Sequence, residues 1–162
     1  MLTKRLPIAI GIWPVLVTAT LAQSPSSREI DAQVWAPISA AVARDDLGAL
    51  GPLYHPAAVV VTSTETSRIA AKIKQWTDDA IAAKAQGIKA TVEFRFTRRQ
   101  DDATSAFETG MFKYTQTDRA GAAKSRFIPM ECLLIKENGR WLILMERQLE
   151  AATEAAWNAL PH

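Results

Sequence analysis

Three glutamates have the type and placement to bind a ligand or move a proton. Glu131 stands inside the apolar stretch 127–135, where a charged group is expensive unless it is paired or protonated. Such a carboxyl either exchanges a proton or hydrogen bond with a ligand at raised pKa, or is held in an ion pair or turned to solvent at an edge. Glu108 shares a strand face with Ala106, Gly110, Phe112 and Tyr114 by period-2 counting. It is either a pocket carboxylate beside aromatic rings, with Gly110 leaving room, or a partner for Arg95 or Arg98 across the sheet. On the last strand Leu142, Leu144, Glu146 and Gln148 share one face, and Trp141, Ile143, Met145 and Arg147 the other. Carboxyls that converge in one cavity drive their pKa values apart and support acid–base work. They serve equally well to hold Arg98, Arg126 or a cationic ligand. Glu131 and Glu108 are the candidate catalytic pair.

Other chemistries have little to work with. Cys132 is the only cysteine, so no intrachain disulfide forms, and its neighbours Met130, Leu133 and Leu134 mark it as a buried filler. His55 and His162 are the only histidines, too few for a His-based metal site or a Ser-His-Asp triad, and His55 reads as part of a Tyr54-His55-Pro56 turn. There is no Gly-rich phosphate loop and no nucleophile elbow. No cofactor or metal is expected. Arg98-Arg99 reads as the solvated end of a hairpin.

The start of the chain reads as an export signal. Lys4 and Arg5 precede the uncharged apolar run 6–21, and Thr20 and Ala22 suit a cut before Gln23. Pro14 interrupts the run, which is short of the ~20 residues that span a bilayer, so a cleaved signal fits better than an anchor. The expected product is periplasmic or secreted, 23–162, and balances at 17 basic against 17 acidic residues. Neutrality gives no electrostatic reason to bind nucleic acid or an anionic membrane.

The periodicity then predicts the elements that place the glutamates. Ser26 to Glu29 reads as a capping box for a helix over about 28–44, with Val34, Trp35, Ile38, Ala41 and Val42 on one stripe. Asp45-Asp46 caps a shorter helix with Leu47, Leu50 and Leu53 inward. A buried strand over 57–62 and a long helix over 67–86 follow, the latter with Ile69, Ile73, Trp76 and Ala80 inward and Gly87 closing it. From 88 the period changes from 3.6 to 2. Strands over 89–99, 104–116, 124–136 and 140–148 form a meander, and Asn138-Gly139 is the strongest of its turn signals. A last helix over 149–159 carries Trp157. Helices on one face of a curved antiparallel sheet make an α+β domain with room for a cavity between the layers.

This order resembles the nuclear transport factor 2-like superfamily, with its SnoaL-like and ketosteroid-isomerase-like members. The resemblance is carried by 43–61, by Phe107-Glu108-Thr109-Gly110-Met111-Phe112-Lys113-Tyr114, and by 133–143. It implies one domain over 23–162, a cone-shaped sheet over about three helices (the cystatin-like α-β roll) and often a homodimer through the outer sheet face. It sets Leu144 toward the cavity, and so Glu146 and Gln148 also. In the isomerases a helix Tyr, a late-strand Asp and a base Asp carry the reaction. Here those positions fall on Ile38, Glu131 and Thr62. Ile has no donor and Thr is too weak a base, so steroid isomerisation is disfavoured. The resulting expectation is a small apolar or amphipathic ligand buried against Trp35, Ile38, Trp76, Phe94, Phe112, Tyr114 and Leu144. Glu131, Glu108, Glu146 and Gln148 would fix its polar end. The alternatives are an isomerase, lyase or hydrolase using Glu131 and Glu108, or an assembly domain with a filled interior.

Overall fold

The computed structural model of the chain describes residues 23–161; the export signal expected over 1–22 lies outside the described residues. Its first helix, α1, runs through Pro25–Ile30, Asp31–Trp35 and Ala36–Ala43 without a break. Ser24 caps it rather than Ser26: its Oγ accepts from the Ser27 N–H at 2.9 Å, and Pro25 takes the first position, where a missing donor costs nothing. The middle stretch is wound wider, with the Ala36 N–H reaching back five residues to the Asp31 carbonyl. Pro37 accounts for this, since it has no N–H for the Gln33 carbonyl and its ring crowds that turn. Ile30, Val34, Trp35, Ile38, Ala41 and Val42 form the buried stripe.

A 3-10 segment, Leu47–Leu53, follows, capped by Asp46 and burying Leu50 and Leu53. Strand β1 (Tyr54–Val61) starts earlier than its apolar run suggests, and its central residues alternate: Ala58 and Val60 are fully buried, Val59 and Val61 only partly. It therefore covers one face of the core, not two. A three-residue β2 (Thr66–Arg68), absent from the sequence reading, pairs with it. Helix α2 (Ile69–Ala85) ends at Gly87, whose φ of 73° is the left-handed geometry expected there. The meander is β3 (Lys89–Asp101), β4 (Ser105–Thr117), β5 (Ala123–Glu137) and β6 (Arg140–Gln148). Asn138 and Gly139 join the last two with φ of 51° and 77°. The sheet order is β2-β1-β6-β5-β4-β3, antiparallel except where β1 runs parallel to β6. The C-terminal helix, α3, is only Glu154–Asn158, and its Trp157 packs with Met111 and Phe127 on the convex face.

Within the meander two bulges curve the sheet. In β3 the pairing steps from Phe96↔Gly110 to Arg98↔Thr109, leaving Thr97 as the extra residue. In β6 it steps from Leu134↔Ile143 to Leu133↔Met145, leaving Leu144 unpaired. Each bends its strand and exchanges the faces of the residues beyond it. Gly110, opposite the first bulge, is where two backbones crowd: a Cβ there would lie 2.1 Å from the Arg95 carbonyl oxygen. This is a correction, since the missing side chain makes room for β3 and not for a cavity. Gly110→Ala should destabilise the fold by about 1–3 kcal/mol, read as a lower urea midpoint. A melt equal to that of the wild type would contradict the close approach.

Candidate functional site

Between the concave sheet face, α1, the 3-10 segment and α2 lies a half-open cavity of about 480 Å³. Trp35 and Ile38 reach it from α1, Trp76 and Ala80 from α2, and Phe94, Phe112 and Tyr114 from β3 and β4. The helix stripe turns Trp35 onto the sheet, where its ring meets Phe94 at 4.8 Å, and Phe94 meets Phe112 at 6.3 Å. This makes one aromatic wall, and Leu50, Val92 and Ile128 extend its apolar surface.

The polar end of the cavity is built on β6. Glu146 is 7 % exposed and lines the cavity beside Gln148. Its Oε2 accepts from the Tyr54 hydroxyl at 2.5 Å and its Oε1 from Gln148 Nε2 at 2.7 Å. Tyr54, 5 % exposed at the start of β1, also lines the cavity. Burial, and then the negative charge of Glu146, hold its hydroxyl protonated well above the usual tyrosine range, so it donates and does not ionise.

Glu108 belongs to a different cluster. It is fully buried, and Trp35 Nε1 and Arg99 Nε each donate to it at 2.7 Å. Arg99 also bonds both Asp31 oxygens, at 2.7 and 3.0 Å, and stacks 4.4 Å over the Phe96 ring. Burial pushes the Glu108 carboxyl up, and the Arg99 and Trp35 bonds hold it partly back. Trp35 thus offers its indole nitrogen to Glu108 and its ring to the cavity, and Glu108 does not line the cavity. Across neighbouring strands Arg99, Glu108, Cys132 and Glu146 form one inward row. Cys132 sits fully buried between the two carboxyls, its thiol pushed well up by burial and then by their charges, so it is a poor nucleophile.

Several expectations are corrected here. Glu131 points to the convex face, where Arg147 Nη1 lies 3.1 Å from its Oε2, so it meets neither Glu108 nor the cavity. Leu144 does not line the cavity, because it is the bulged residue of β6. Arg99 is no solvated hairpin end: the bulge at Thr97 turns it inward in place of Arg98, making it the partner of Glu108. The structure brings together Trp35, Ile38, Trp76, Phe94, Phe112, Tyr114, Glu146 and Gln148. Sequence reasoning missed Tyr54. Its available signal was a hydroxyl at the start of a strand that must lie beside the strand carrying Glu146.

No family model and no curated protein matches the chain by sequence. Solved structures do. A Xanthomonas campestris protein, assigned as a calcium/calmodulin dependent protein kinase II association domain, is 24% identical, with a TM-score of 0.58 over 82% of this chain and 94% of its own. An NTF-2 like protein of unknown function from Shewanella oneidensis is 15% identical, with a TM-score of 0.61 over 77% of this chain and 99% of its own. The chain has the nuclear transport factor 2-like fold. A third neighbour, from Catenulispora acidiphila, is 14% identical, with a TM-score of 0.64 over 78% of this chain and 94% of its own, and was solved in complex with S-DNPA. Within this NTF2-like chain Thr62 spends its hydroxyl on the turn after β1, accepting from the Glu65 N–H at 3.1 Å, and Ile38 contributes only apolar surface. His55 lies in β1 and not in the turn expected there, its Nδ1 accepting from the Ala57 N–H at 3.0 Å.

Proposed function

We propose that this chain is an exported protein that holds a small, largely apolar molecule in its cavity. The observation that carries this reading is a roomy interior faced by aromatic and aliphatic side chains, with a hydrogen-bonded polar cluster, Tyr54–Glu146–Gln148, inside it and charged residues such as Asp45, Asp79 and Arg126 elsewhere in the lining. Pockets of a few hundred Å³ with few polar groups are those that bury drug-sized ligands. The polar end is fixed by Glu146, and not by Glu131 and Glu108. The assembly reading loses support, because a filled interior leaves no such space. An isomerase, lyase or hydrolase would have to work through Glu146 and Tyr54, the hydrogen-bonded carboxyl–hydroxyl pair at the polar end of the cavity. The same protein pairs as a homodimer through the convex face. The outward row Phe107, Leu133 and Met145 lies away from the α3 cover and is only partly buried.

Native mass spectrometry, together with a thermal-shift and tryptophan-fluorescence screen of neutral ring compounds such as 1-naphthalenemethanol and indole, tests the reading. A ligand at 100 times its Kd should add about 2.7 kcal/mol of stability, a rise of a few degrees in Tm. It should also change the emission of Trp35 and Trp76. No retained mass, together with no shift across the screen, overturns the proposal; a monomer mass overturns the homodimer.

A further inference from the structure

We infer that the ligand carries a positive charge, namely a protonated amine on an apolar ring-sized body with its ammonium set on Glu146. This rests on the cavity being a ligand site, and it follows from what the polar end has left to offer. Tyr54 has committed its only proton to Glu146 Oε2, and Gln148 has committed one of its two amide protons to Oε1. What remains facing the cavity is mostly lone pairs, on both Glu146 oxygens, the Tyr54 oxygen and the Gln148 carbonyl. An acceptor-rich end rewards a donor and opposes a carboxylate or phosphate.

The rest of the lining has the same bias. Asp45 and Asp79 add two carboxylates, against the single guanidinium of Arg126. Arg126 and Asp79 are both exposed, so their fields are screened by water, whereas Asp45 is half-buried and Glu146 acts from a buried position. Lys84 approaches Asp45 at 3.7 Å from an exposed position and does not line the cavity. The wall of Trp35, Phe94 and Phe112 supplies aromatic rings, a residue type that attracts cations and accepts apolar rings.

Three probes with one ring system separate the terms: 1-naphthylmethylamine, 1-naphthalenemethanol and 1-naphthoic acid, titrated at pH 7 by tryptophan quenching and calorimetry. The amine should bind about tenfold more tightly than the alcohol, the margin of an ion pair over a hydrogen bond from a neutral donor to the same carboxylate, and the acid more weakly than both. Glu146→Gln should erase the amine's margin and weaken the alcohol by far less. Gln148→Lys, at a half-exposed position that leaves the Tyr54 bond intact, should reverse the order of amine and acid. Equal binding of amine and alcohol, or tighter binding of the acid lost on Arg126→Ala, overturns the cationic ligand and leaves the cavity reading standing. Binding of none of the three overturns both.

Discussion

Replacing Arg99 with Met should lower the unfolding free energy by about 3–5 kcal/mol at neutral pH, the range for removing one partner of a buried pair. Glu108 is fully enclosed, and its Oε1 has Arg99 as its partner while Oε2 accepts from Trp35. Met preserves the contact with Phe96 but strands a carboxylate in the core. The penalty depends on pH in a defined direction. Burial already raises the Glu108 pKa against the pull of Arg99, and loss of the guanidinium raises it further. A carboxyl with a folded pKa above its unfolded one favours the native state while protonated, and that advantage is lost as pH climbs through the folded value. The Arg99→Met penalty is therefore smallest near the ordinary glutamate range, about pH 4, and grows toward neutrality. Adding Glu108→Gln should restore at least half of the loss, because Gln still accepts from Trp35 and carries no charge. Urea melts of both variants across this range check the account. A penalty that is flat with pH, or a double variant no better than the single one, would remove the buried pair as its cause.

The same cluster shows where the sequence stops being readable. The helix stripe, the four-strand meander, the Gly87 stop and the Asn138-Gly139 turn each follow from a period or a residue with unusual φ, and all four stand in the structure. The inward faces of β3 and β6 do not follow, because a bulge inserts one residue without any compositional mark. Counting by twos through Thr97 selects Arg98 where the structure uses Arg99. Counting through Leu144 keeps it with Glu146, yet Trp141 and Ile143 precede the bulge on the face that Glu146 and Gln148 take after it. Glu131 misled for another reason. Both faces of β5 are apolar, the inner with Met130, Cys132 and Leu134, the outer with Phe127 under Trp157 and then Leu133. Without alternation, a carboxyl in that run cannot be given a face from sequence. Tyr54 was hidden because the Pro56 beside it suggests a turn, whereas Pro is tolerated near the start of a strand.

Because bulges place the polar end, the cavity's shape should be testable apart from its chemistry, and Ala80→Trp should weaken 1-naphthalenemethanol binding by at least about 100-fold, or 2.7 kcal/mol. Ala80 faces the cavity from α2 in the same wall as Trp76, so an indole at that position occupies the volume a ligand needs. The substitution adds apolar contacts to a void, so Tm should hold or rise even as binding is lost. That combination separates blockage from unfolding. Ile81 is the control: it is the next residue on the same helix, 63 % exposed, and points away from the sheet. Ile81→Trp should bind the alcohol as the wild type does. Near-normal binding by Ala80→Trp would place the ligand outside the cavity, and equal losses in both variants would assign the effect to α2 as a whole. Only a loss confined to the inward position locates the apolar body between α2 and the aromatic wall.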